Sequence, residues 1–364
     1  MKNTIGNNVA VTLFGESHGP SIGVVIDGLA PGMEVNATTI EKMLSRRRPS
    51  GAISTSRQEA DAFVIESGVF EGRTTGTPVC IRIPNQDTKS ADYSKMRYLP
   101  RPSHADFAAN AKYHGYEDYR GGGHFSGRLT AALVAAGGLV MPALENKGIR
   151  IGTHISRCGG IADRDFADLE KDINALQDGD FPVLDAQAGR QMQDAILQAK
   201  MEGNSVGGVL ETVVTGLPAG VGEPWFDTVE SVLSHMLFAV PAVKGVEFGA
   251  GFALAELTGA QANDAFYMKD GKVQTKTNNA GGINGGITNG MPLVFRCVVR
   301  PTPTIGQSQQ TIDMQTMENA TLEAKGRHDP CIVHRASVVV ESVTALALCD
   351  LLAGRYGTDW LVQK

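Results

Sequence analysis

The sequence predicts an α+β protein in which helices pack between two antiparallel sheets, and the halves of the chain repeat one another about a pseudo-twofold axis. Three observations lead to this fold class. Matching segments recur in one order in residues 1–150 and 200–350, several of them alternate apolar and polar residues, and no Pro-, Ser- or Gly-rich linker separates the halves. We therefore expect one domain over 1–364, because each half needs the other to bury its helices.

The repeated unit reads strand, Gly/Pro turn, helix, strand, Gly turn, strand. Its first strand begins at Ser21 in one half and at Ser205 in the other. The other matched pairs are the turns 28–32 (GLAPG) and 216–220 (GLPAG), the helices 39–45 (TIEKMLS) and 228–234 (TVESVLS), the strands after Thr74 and Ile287, and, more loosely, 101–106 with 327–330. This shared order predicts an internal duplication.

Each element follows from its local pattern. The runs VVID, CIRI and FRCVV alternate apolar and polar side chains, which indicates half-buried antiparallel strands. We expect N-capped helices at Thr39 and Thr228, since each Thr is followed by Glu in the first turn. The Ala-rich segment 127–145 is apolar nearly all round and should be a central helix. Residues 160–200 are expected to form peripheral helices, and 262–276 an exposed loop.

Composition restricts the class of protein. The net charge of −6 carries no basic signature for nucleic acid. We expect a cytoplasmic protein that does not span a membrane, because the N-terminal stretch has no apolar core of signal-peptide length and no apolar run is long enough to cross a bilayer. The five cysteines are scattered without a CxxC pair, so we expect reduced thiols and no metal site.

Three motifs of the first half combine small residues, His and Arg. His18 lies in GESHG (15–19), where it is open to a ligand and suited to proton transfer, or hydrogen-bonded in a turn. The triplet RRR (46–48) ends the first repeated helix and has no counterpart in the second half, which favours anion binding over a solvated helix end. In RPSHAD (101–106), Arg101 could hold an anionic leaving group while His104 protonates it.

The run YRGGGHFSGR (119–128) precedes the Ala-rich helix. Its backbone N–H groups could cradle an anion at the helix N-terminus, or the run could be a flexible loop. It lacks both the Walker A ending and the GxGxxG spacing, so neither ATP nor a dinucleotide is indicated.

Two further regions could bind a ligand. NNAGGINGG (278–286) and RPTPT (300–304) could contact a flat ring and a phosphate, or form hairpin turns. In KGRHDPC (325–331), Asp329 is a candidate base beside Arg327 and His328, or a turn residue. The remaining histidines are interpreted as structural, and they are His114, His154, His235 and His334.

Taken together, these motifs resemble those of the chorismate synthase family. GESHG, RRRP, RPxHAD, YRGGGxxSxR, GLPAGVGEPWFD, AVKGVEFG, NAGGINGG, RPTPTI and GRHDPC occur in the family's order, from Asn3 to about Leu351. The resemblance implies the family's fold of helices between two antiparallel sheets, and its reaction. That reaction is a 1,4-elimination of phosphate and the C6 proton from 5-enolpyruvylshikimate 3-phosphate, and it requires reduced FMN. A homotetramer is also implied.

The resemblance further implies residue roles. His18 would protonate or steady the reduced flavin, His104 would serve the departing phosphate as an acid, and Asp329 would act with flavin N5 to remove the proton. The substrate phosphate and carboxylates would be held by Arg47, Arg101, Arg128 and Arg327. The FMN contacts would come from His124, Phe125, Ser126, Pro241, Ala242, Gly285, Arg300, Pro301, Thr302, Pro303, Thr304 and Arg327.

The chain departs from the family pattern at several site positions. It has Ile53, His124, Pro241 and Arg300 where many members have Arg, Arg, Asn and Lys, and the nearby Arg57 could substitute for the arginine that Ile53 replaces. Two other functions stay open. One is a flavin reductase or NADPH-dependent oxidoreductase, which would call for a dinucleotide fingerprint, although some family members reduce their own flavin with NADPH. The other is a flavin-binding paralogue without catalytic activity.

Overall fold

Residues 2–55, 59–86, 97–177, 179–323 and 328–362 are described by a computed structural model, in which helices combine with antiparallel strand pairs. The strands are β1 (Thr4–Ile5), β2 (Ala10–Gly15), β3 (Ser21–Asp27), β4 (Val64–Ser67), β5 (Val69–Phe70), β6 (Arg73–Thr74), β7 (Val79–Pro84), β8 (Arg150–Cys158), β9 (Ile161–Ala162), β10 (Gly208–Thr215), β11 (Val243–Phe248), β12 (Phe266–Lys269), β13 (Lys272–Thr275), β14 (Ile283–Asn284), β15 (Ile287–Thr288), β16 (Leu293–Val299), β17 (Gln309–Asp313) and β18 (Glu318–Leu322). The helices are α1 (Ala37–Arg47), α2 (Asp106–Tyr113), α3 (Thr130–Asn146), α4 (Leu169–Leu176), α5 (Ala186–Met201), α6 (Val229–Ala239), α7 (Gly259–Ala262) and α8 (Val333–Tyr356).

Two five-stranded sheets dominate the described residues. Their strand orders are β1-β2-β3-β7-β4 and β9-β8-β10-β16-β11, and the other strands form two-stranded ribbons. In β7 the side chains of Val79, Ile81 and Ile83 are buried and their neighbours are partly exposed, as the predicted alternation requires. The alternating segments are therefore confirmed as half-buried antiparallel strands.

Helices α3 and α8 lie in the apolar core. Helix α3 packs against β3 and β7, α8 packs against β8 and β10, and the two helices contact each other. A methyl group on Gly137 of α3 would overlap Ser342 of α8, so this glycine permits the close helix contact. The predicted central helix is confirmed as α3. Helix α8 was not predicted, although it is apolar along most of its length.

Contrary to the expectation that no apolar run is long enough to cross a bilayer, two helical segments of the described residues, 127–146 and 333–356, have the length and composition of membrane spans. However, 89% of an apolar 18-residue window in the first segment and 94% of such a window in the second are buried inside the fold. Because protein covers them, they are the core helices of this fold.

Helices α1 and α6 begin with different caps. Thr228 accepts the N–H of Ser231 and caps α6, as predicted. The prediction for Thr39 was wrong, because Asn36 caps α1 and accepts the N–H of Thr39 at 3.1 Å. The helix therefore begins three residues earlier than predicted, and Thr39 lies inside its first turn, where the side chain of Asn36 accepts its N–H group.

Two peripheral regions were predicted with different success. The segment 160–200 contains α4 and α5, as expected. The segment 262–276 is exposed but is not simply a loop, because β12 and β13 form a hairpin there. Its turn residues Asp270 and Gly271 have φ of 50° and 74°, the left-handed conformation that an Asp-Gly turn supplies.

Equivalent threonines hold the turns that follow β3 and β10. Each hydroxyl donates to a backbone carbonyl oxygen of the turn. It also accepts the backbone N–H of the residue three positions after that carbonyl. The distances are 2.6 and 2.9 Å for Thr74 with Ala30 O and Met33 N, and 2.7 and 2.9 Å for Thr288 with Pro218 O and Val221 N. The two matched turns therefore share one local hydrogen-bond pattern.

Candidate active site

A large cavity, with a volume of about 1000 Å³, is lined by described residues from both halves of the chain. Its charged wall is cationic although the chain has a net charge of −6. Asp329 is the one acidic residue in the described lining. The basic residues are Lys2, Arg101, Lys244, Arg300, His18, His104, His124, His235 and His328. This wall is suited to a ligand with several negative charges.

His18 and His104 lie against the triple-glycine segment. Gly121, Gly122 and Gly123 all have positive φ, of 59°, 82° and 53°. A methyl group on Gly121 would overlap the His18 ring, and one on Gly122 would lie 3.2 Å from Cε1 of His104. The glycines therefore allow two imidazoles to approach neighbouring positions of one backbone turn, which residues with side chains would prevent.

The ring of His104 is oriented by a carboxylate. Nδ1 of His104 lies 2.6 Å from Oδ1 of Asp106, and Arg101 donates to the same carboxylate through Nε and Nη2 at 2.8 Å. Burial would raise the pKa of Asp106, but the hydrogen bonds from Arg101 and His104 outweigh it and hold this pKa well below its usual range. The ionised carboxylate accepts the Nδ1–H, which leaves Nε2 on the side of Gly122.

Asp329 is held by three hydrogen bonds. Its Oδ1 accepts the N–H of Thr55 at 2.9 Å, and its Oδ2 accepts Nη1 of Arg335 at 2.9 Å. The carbonyl oxygen of Asp329 accepts the hydroxyl of Thr302 at 2.6 Å. The carboxylate therefore has a defined orientation between the large cavity and a smaller one of about 200 Å³.

Arg47 and Arg128 line the smaller cavity and share one carboxylate. Arg47 donates to Oδ2 of Asp61 at 2.9 Å, and Arg128 forms a short ion pair with Oδ1. Burial lowers the pKa of Arg47 to about 10 despite the attraction of Asp61, so Arg47 stays cationic at neutral pH. Burial would raise the pKa of Asp61, but the two arginines outweigh it and lower this pKa. The alternative interpretation of 46–48 as a solvated helix end is therefore wrong at Arg47, whose side chain is buried in an ion pair with Asp61.

The segment that follows the glycines contributes an aromatic wall. Nδ1 of His124 lies 2.8 Å from the carbonyl oxygen of Gly15, and the rings of Phe125 and Tyr113 meet edge to face at 6.0 Å. The hydroxyl of Ser126 accepts the N–H of Arg128 at 3.3 Å, which orders the turn before α3. These contacts fix a partly apolar wall beside His18.

Arg300 joins two loops that line the large cavity. Its N–H donates to the carbonyl oxygen of Ala242 at 2.9 Å, and its Nη1 donates to the carbonyl oxygen of Ser103 at 2.8 Å. Ala242 has a φ of 76°, an uncommon value for a residue with a side chain. The cavity is also lined by Pro241, Thr302, Pro303 and Thr304.

Comparisons with known proteins agree with this site. A family model described as chorismate synthase matches residues 9–353. The chorismate synthase of Thermococcus kodakarensis is 45% identical over 359 residues, covering 98% of this chain and 99% of that relative. The chorismate synthase of Dehalococcoides mccartyi is 45% identical over 353 residues, or 96% of each chain. A solved structure described as "Crystal Structure of Chorismate Synthase" has a TM-score of 0.77 at 28% identity and covers 97% of this chain and 94% of that chain.

The chain belongs to the chorismate synthase family. It is a lyase of the shikimate pathway that forms chorismate from 5-enolpyruvylshikimate 3-phosphate. The family assignment makes the cationic cavity its candidate active site, because this substrate carries one phosphate and two carboxylates.

Most of the site residues that the sequence predicted line the large cavity or the smaller one. Gly285 lies in the turn between β14 and β15, and neither it nor Pro301 lines the described part of the large or the small cavity. Arg327 lies outside the described residues, and so does Arg57.

Sequence reasoning missed several residues of this candidate site. Asp61 was missed because nothing local marks it as the partner of two distant arginines. Asp106 stood inside a recognised motif, and its spacing of two from His104 was the available signal. His235 was interpreted as structural, but it is exposed and lines the large cavity.

Proposed function

We propose that the large cavity binds reduced FMN together with 5-enolpyruvylshikimate 3-phosphate, and that His18, His104 and Asp329 carry out the 1,4-elimination there. One observation carries the proposal. The three side chains, drawn from distant parts of the sequence, line one cavity, and the other charged residues in its described lining are basic. Such a wall favours an anionic substrate, and low polarity inside strengthens each contact.

The residues present fit a flavin. The cavity is at the upper end of the range of about 300–1,000 Å³ that is usual for small-molecule sites, and its lining includes Leu13, Phe125, Leu129 and Ile332. When bound, reduced FMN supplies an electron-rich ring next to the substrate. His18 would steady that reduced form. The residues proposed to hold FMN are His124, Phe125, Ser126, Pro241, Ala242, Gly285, Arg300, Pro301, Thr302, Pro303, Thr304 and Arg327.

His104 would act as the acid for the departing phosphate. Asp106 occupies Nδ1 of the ring, so Nε2 is the atom left to deliver a proton. Arg101 contacts both His104 and Asp106, which would place its positive charge beside the same phosphate. Proton delivery and charge neutralisation at one point would favour breakage of the C–O bond.

Asp329 would take up the proton that leaves C6. Its carboxylate oxygens accept from Thr55 and Arg335, and each carboxylate oxygen has more than one lone pair with which to accept a proton. The electron pair of the broken C6–H bond forms the new double bond as phosphate leaves, so the overall elimination needs no net oxidant. Arg47, Arg128 and Arg327, with Arg101, are proposed to hold the phosphate and carboxylates.

An anaerobic assay tests this function. Purified protein, substrate and photoreduced FMN are mixed, and chorismate absorbance and phosphate release are followed. We expect equal amounts of both products with reduced FMN, neither with oxidised FMN, and turnover in Asp329→Asn reduced at least about 10²-fold. Flavin binding without product would instead indicate a non-catalytic paralogue, and NADPH consumption without phosphate release would indicate an oxidoreductase.

The two halves are proposed to derive from a duplication with helices between the sheets. The two sheet orders correspond when β1, β2, β3, β7 and β4 are matched with β9, β8, β10, β16 and β11. In both halves a helix, α1 or α6, lies between matching strands along the chain, and the threonine hydrogen bonds of the turns also correspond. These correspondences support a pseudo-twofold arrangement.

A cytoplasmic homotetramer is proposed as the working form. Large apolar side chains are unusually exposed on the single chain, with Trp225 at 86%, Phe226 at 90% and Phe252 at 85%. Exposed aromatic residues of this kind support burial between subunits. Sedimentation analysis tests the proposal, and a monomer at micromolar concentration would contradict it.

A further inference from the structure

We propose that Arg335 is a positioning residue that holds the Asp329 carboxylate in the orientation needed for proton removal. The proposal rests on the role given to Asp329 above. Nη1 of Arg335 donates to Oδ2 of Asp329 at 2.9 Å, and Nε donates to the carbonyl oxygen of Arg47 at 2.8 Å. Arg335 thus connects the carboxylate to the C-terminal end of α1.

The guanidinium group suits both contacts. The carbonyl groups at a helix C-terminus have no partner within the helix and carry partial negative charge, so the last residue of α1 favours a cation. The planar fork of Arg335 presents Nε and Nη1 in fixed relative directions, and each has its own acceptor here. A lysine has one ammonium group on a flexible chain and would not reproduce this two-point contact.

The position of Arg335 connects it to the chemistry. It lies in the first turn of α8, six residues after Asp329, and lines the smaller cavity together with Asp329 and Arg47. The N–H of Thr55 holds the other carboxylate oxygen. Without Arg335 the carboxylate would lose the contact on Oδ2, and the group could rotate more freely about the Cβ–Cγ bond. Loss of this restraint would misplace the proton acceptor.

A purely structural role would be the attachment of α8 to α1. The chain contains a matched example of that role, since Arg46 at the end of α1 donates to Glu341 of α8 at 2.6 Å. The Arg46 side chain is 13% exposed and that of Arg335 is 15% exposed. Arg46 lines neither cavity in the described residues. Replacement of Arg46 therefore tests the helix contact without touching the site.

The experiment compares Arg335→Gln, Arg335→Lys and Arg46→Gln, assayed anaerobically with reduced FMN and with substrate carrying hydrogen or deuterium at C6. For Arg335→Gln we expect kcat to fall about 10- to 100-fold, because small misplacements of a reacting group cost this much. KM should change less than about threefold. The deuterium isotope effect on kcat should rise because proton removal becomes slower. Arg335→Lys should recover part of kcat, and Arg46→Gln should keep the wild-type isotope effect.

The Asp329→Asn variant separates the two proposals. Wild-type turnover in Asp329→Asn would remove the proposed role of Asp329, and the role of Arg335 with it. A second outcome would overturn only the role of Arg335. In that outcome Asp329→Asn is inactive, but Arg335→Gln has the same kcat and the same isotope effect as the control Arg46→Gln. If Arg335→Gln does not fold, Arg335→Lys decides. Reduced kcat with a raised isotope effect supports the inference, and unchanged values of both refute it.

Discussion

The imidazole of His18 lies directly against the Cα of Gly121, so that a methyl group there would overlap Cε1 and Nδ1 of the ring. The contact joins two sequence motifs that are about a hundred residues apart. A glycine is therefore needed at position 121 for two reasons: the turn has a positive φ there, and the ring of His18 occupies the space that a side chain would fill.

Replacement of Gly121 by Ala should displace His18 and lower kcat about 10-fold or more, since small misplacements at a reacting centre are costly. The fall in kcat is measured by anaerobic turnover with reduced FMN. Gly72→Ala is the matched control, because Gly72 also has positive φ, 74°, but has open space around its Cα. Both variants should lose about 1 kcal/mol from backbone strain, and only Gly121→Ala should lose activity. Equal activities would show that His18 tolerates displacement.

Replacement of Asp106 by Asn should lower kcat about 10-fold or more by releasing the ring of His104, whereas FMN affinity should stay nearly unchanged. An amide keeps the shape of the carboxylate but lacks its charge, so the Nδ1–H of His104 loses an ionised acceptor. Turnover and flavin titration measure the two quantities. Asp172→Asn is the control, because it removes a comparable pair with Arg164 away from the cavities. Unchanged turnover in Asp106→Asn would mean that His104 needs no orienting partner.

His334 should make stability depend on pH below neutrality. Burial, reinforced by Arg335, lowers its pKa to about 4 against the attraction of Asp329. The unfolded chain therefore binds a proton between about pH 6.5 and 4 that the folded chain does not, and the free energy of unfolding falls by about 2 kcal/mol from pH 7 to 5 through this group. Urea unfolding of the wild type and of His334→Gln at both pH values measures it. The variant should lose less stability at pH 5, and identical losses would contradict the assignment.

Asp350 should stabilise the turn between β1 and β2. Its buried Oδ1 accepts the N–H groups of Asn7, Asn8 and Val9 at 3.0, 2.6 and 2.9 Å. Asp350→Asn should cost about 1.5–3 kcal/mol, because hydrogen bonds to a charged acceptor are lost and an amide N–H group would face other donors. The free energy of urea unfolding measures this cost. Asp27→Asn, which removes an exposed contact with Gly28, should cost far less. Equal costs would show that the turn does not depend on the charge.

The sequence identified those features that depend on neighbours along the chain. The strand alternation of β7, the cap at Thr228 and the apolar helix α3 were predictable because side-chain periodicity and capping are local. The hairpin at 266–275 was missed even though Asp270-Gly271 is a local turn signal. Asn36 was overlooked as a cap for a similar reason, since a more conspicuous Thr followed it.

Contacts between distant segments were not predictable in the same way. Asp61 accepts from Arg47 and Arg128, and Thr55 meets Asp329 from the other half of the chain. No spacing in the sequence records these pairs, because they depend on how α1, α3 and α8 pack between strands that are far apart along the chain.

The sequence by itself determined the family, the order of the motifs and the residue types available for anion binding and proton transfer. These depend on the identity of side chains and on short-range periodicity. The tertiary structure alone decided that His18 and His104 share one glycine turn, that Asp106 orients His104 and that Arg335 holds Asp329. The physical reason is that hydrogen bonds and steric contacts act over a few ångströms, and packing brings these groups within that range.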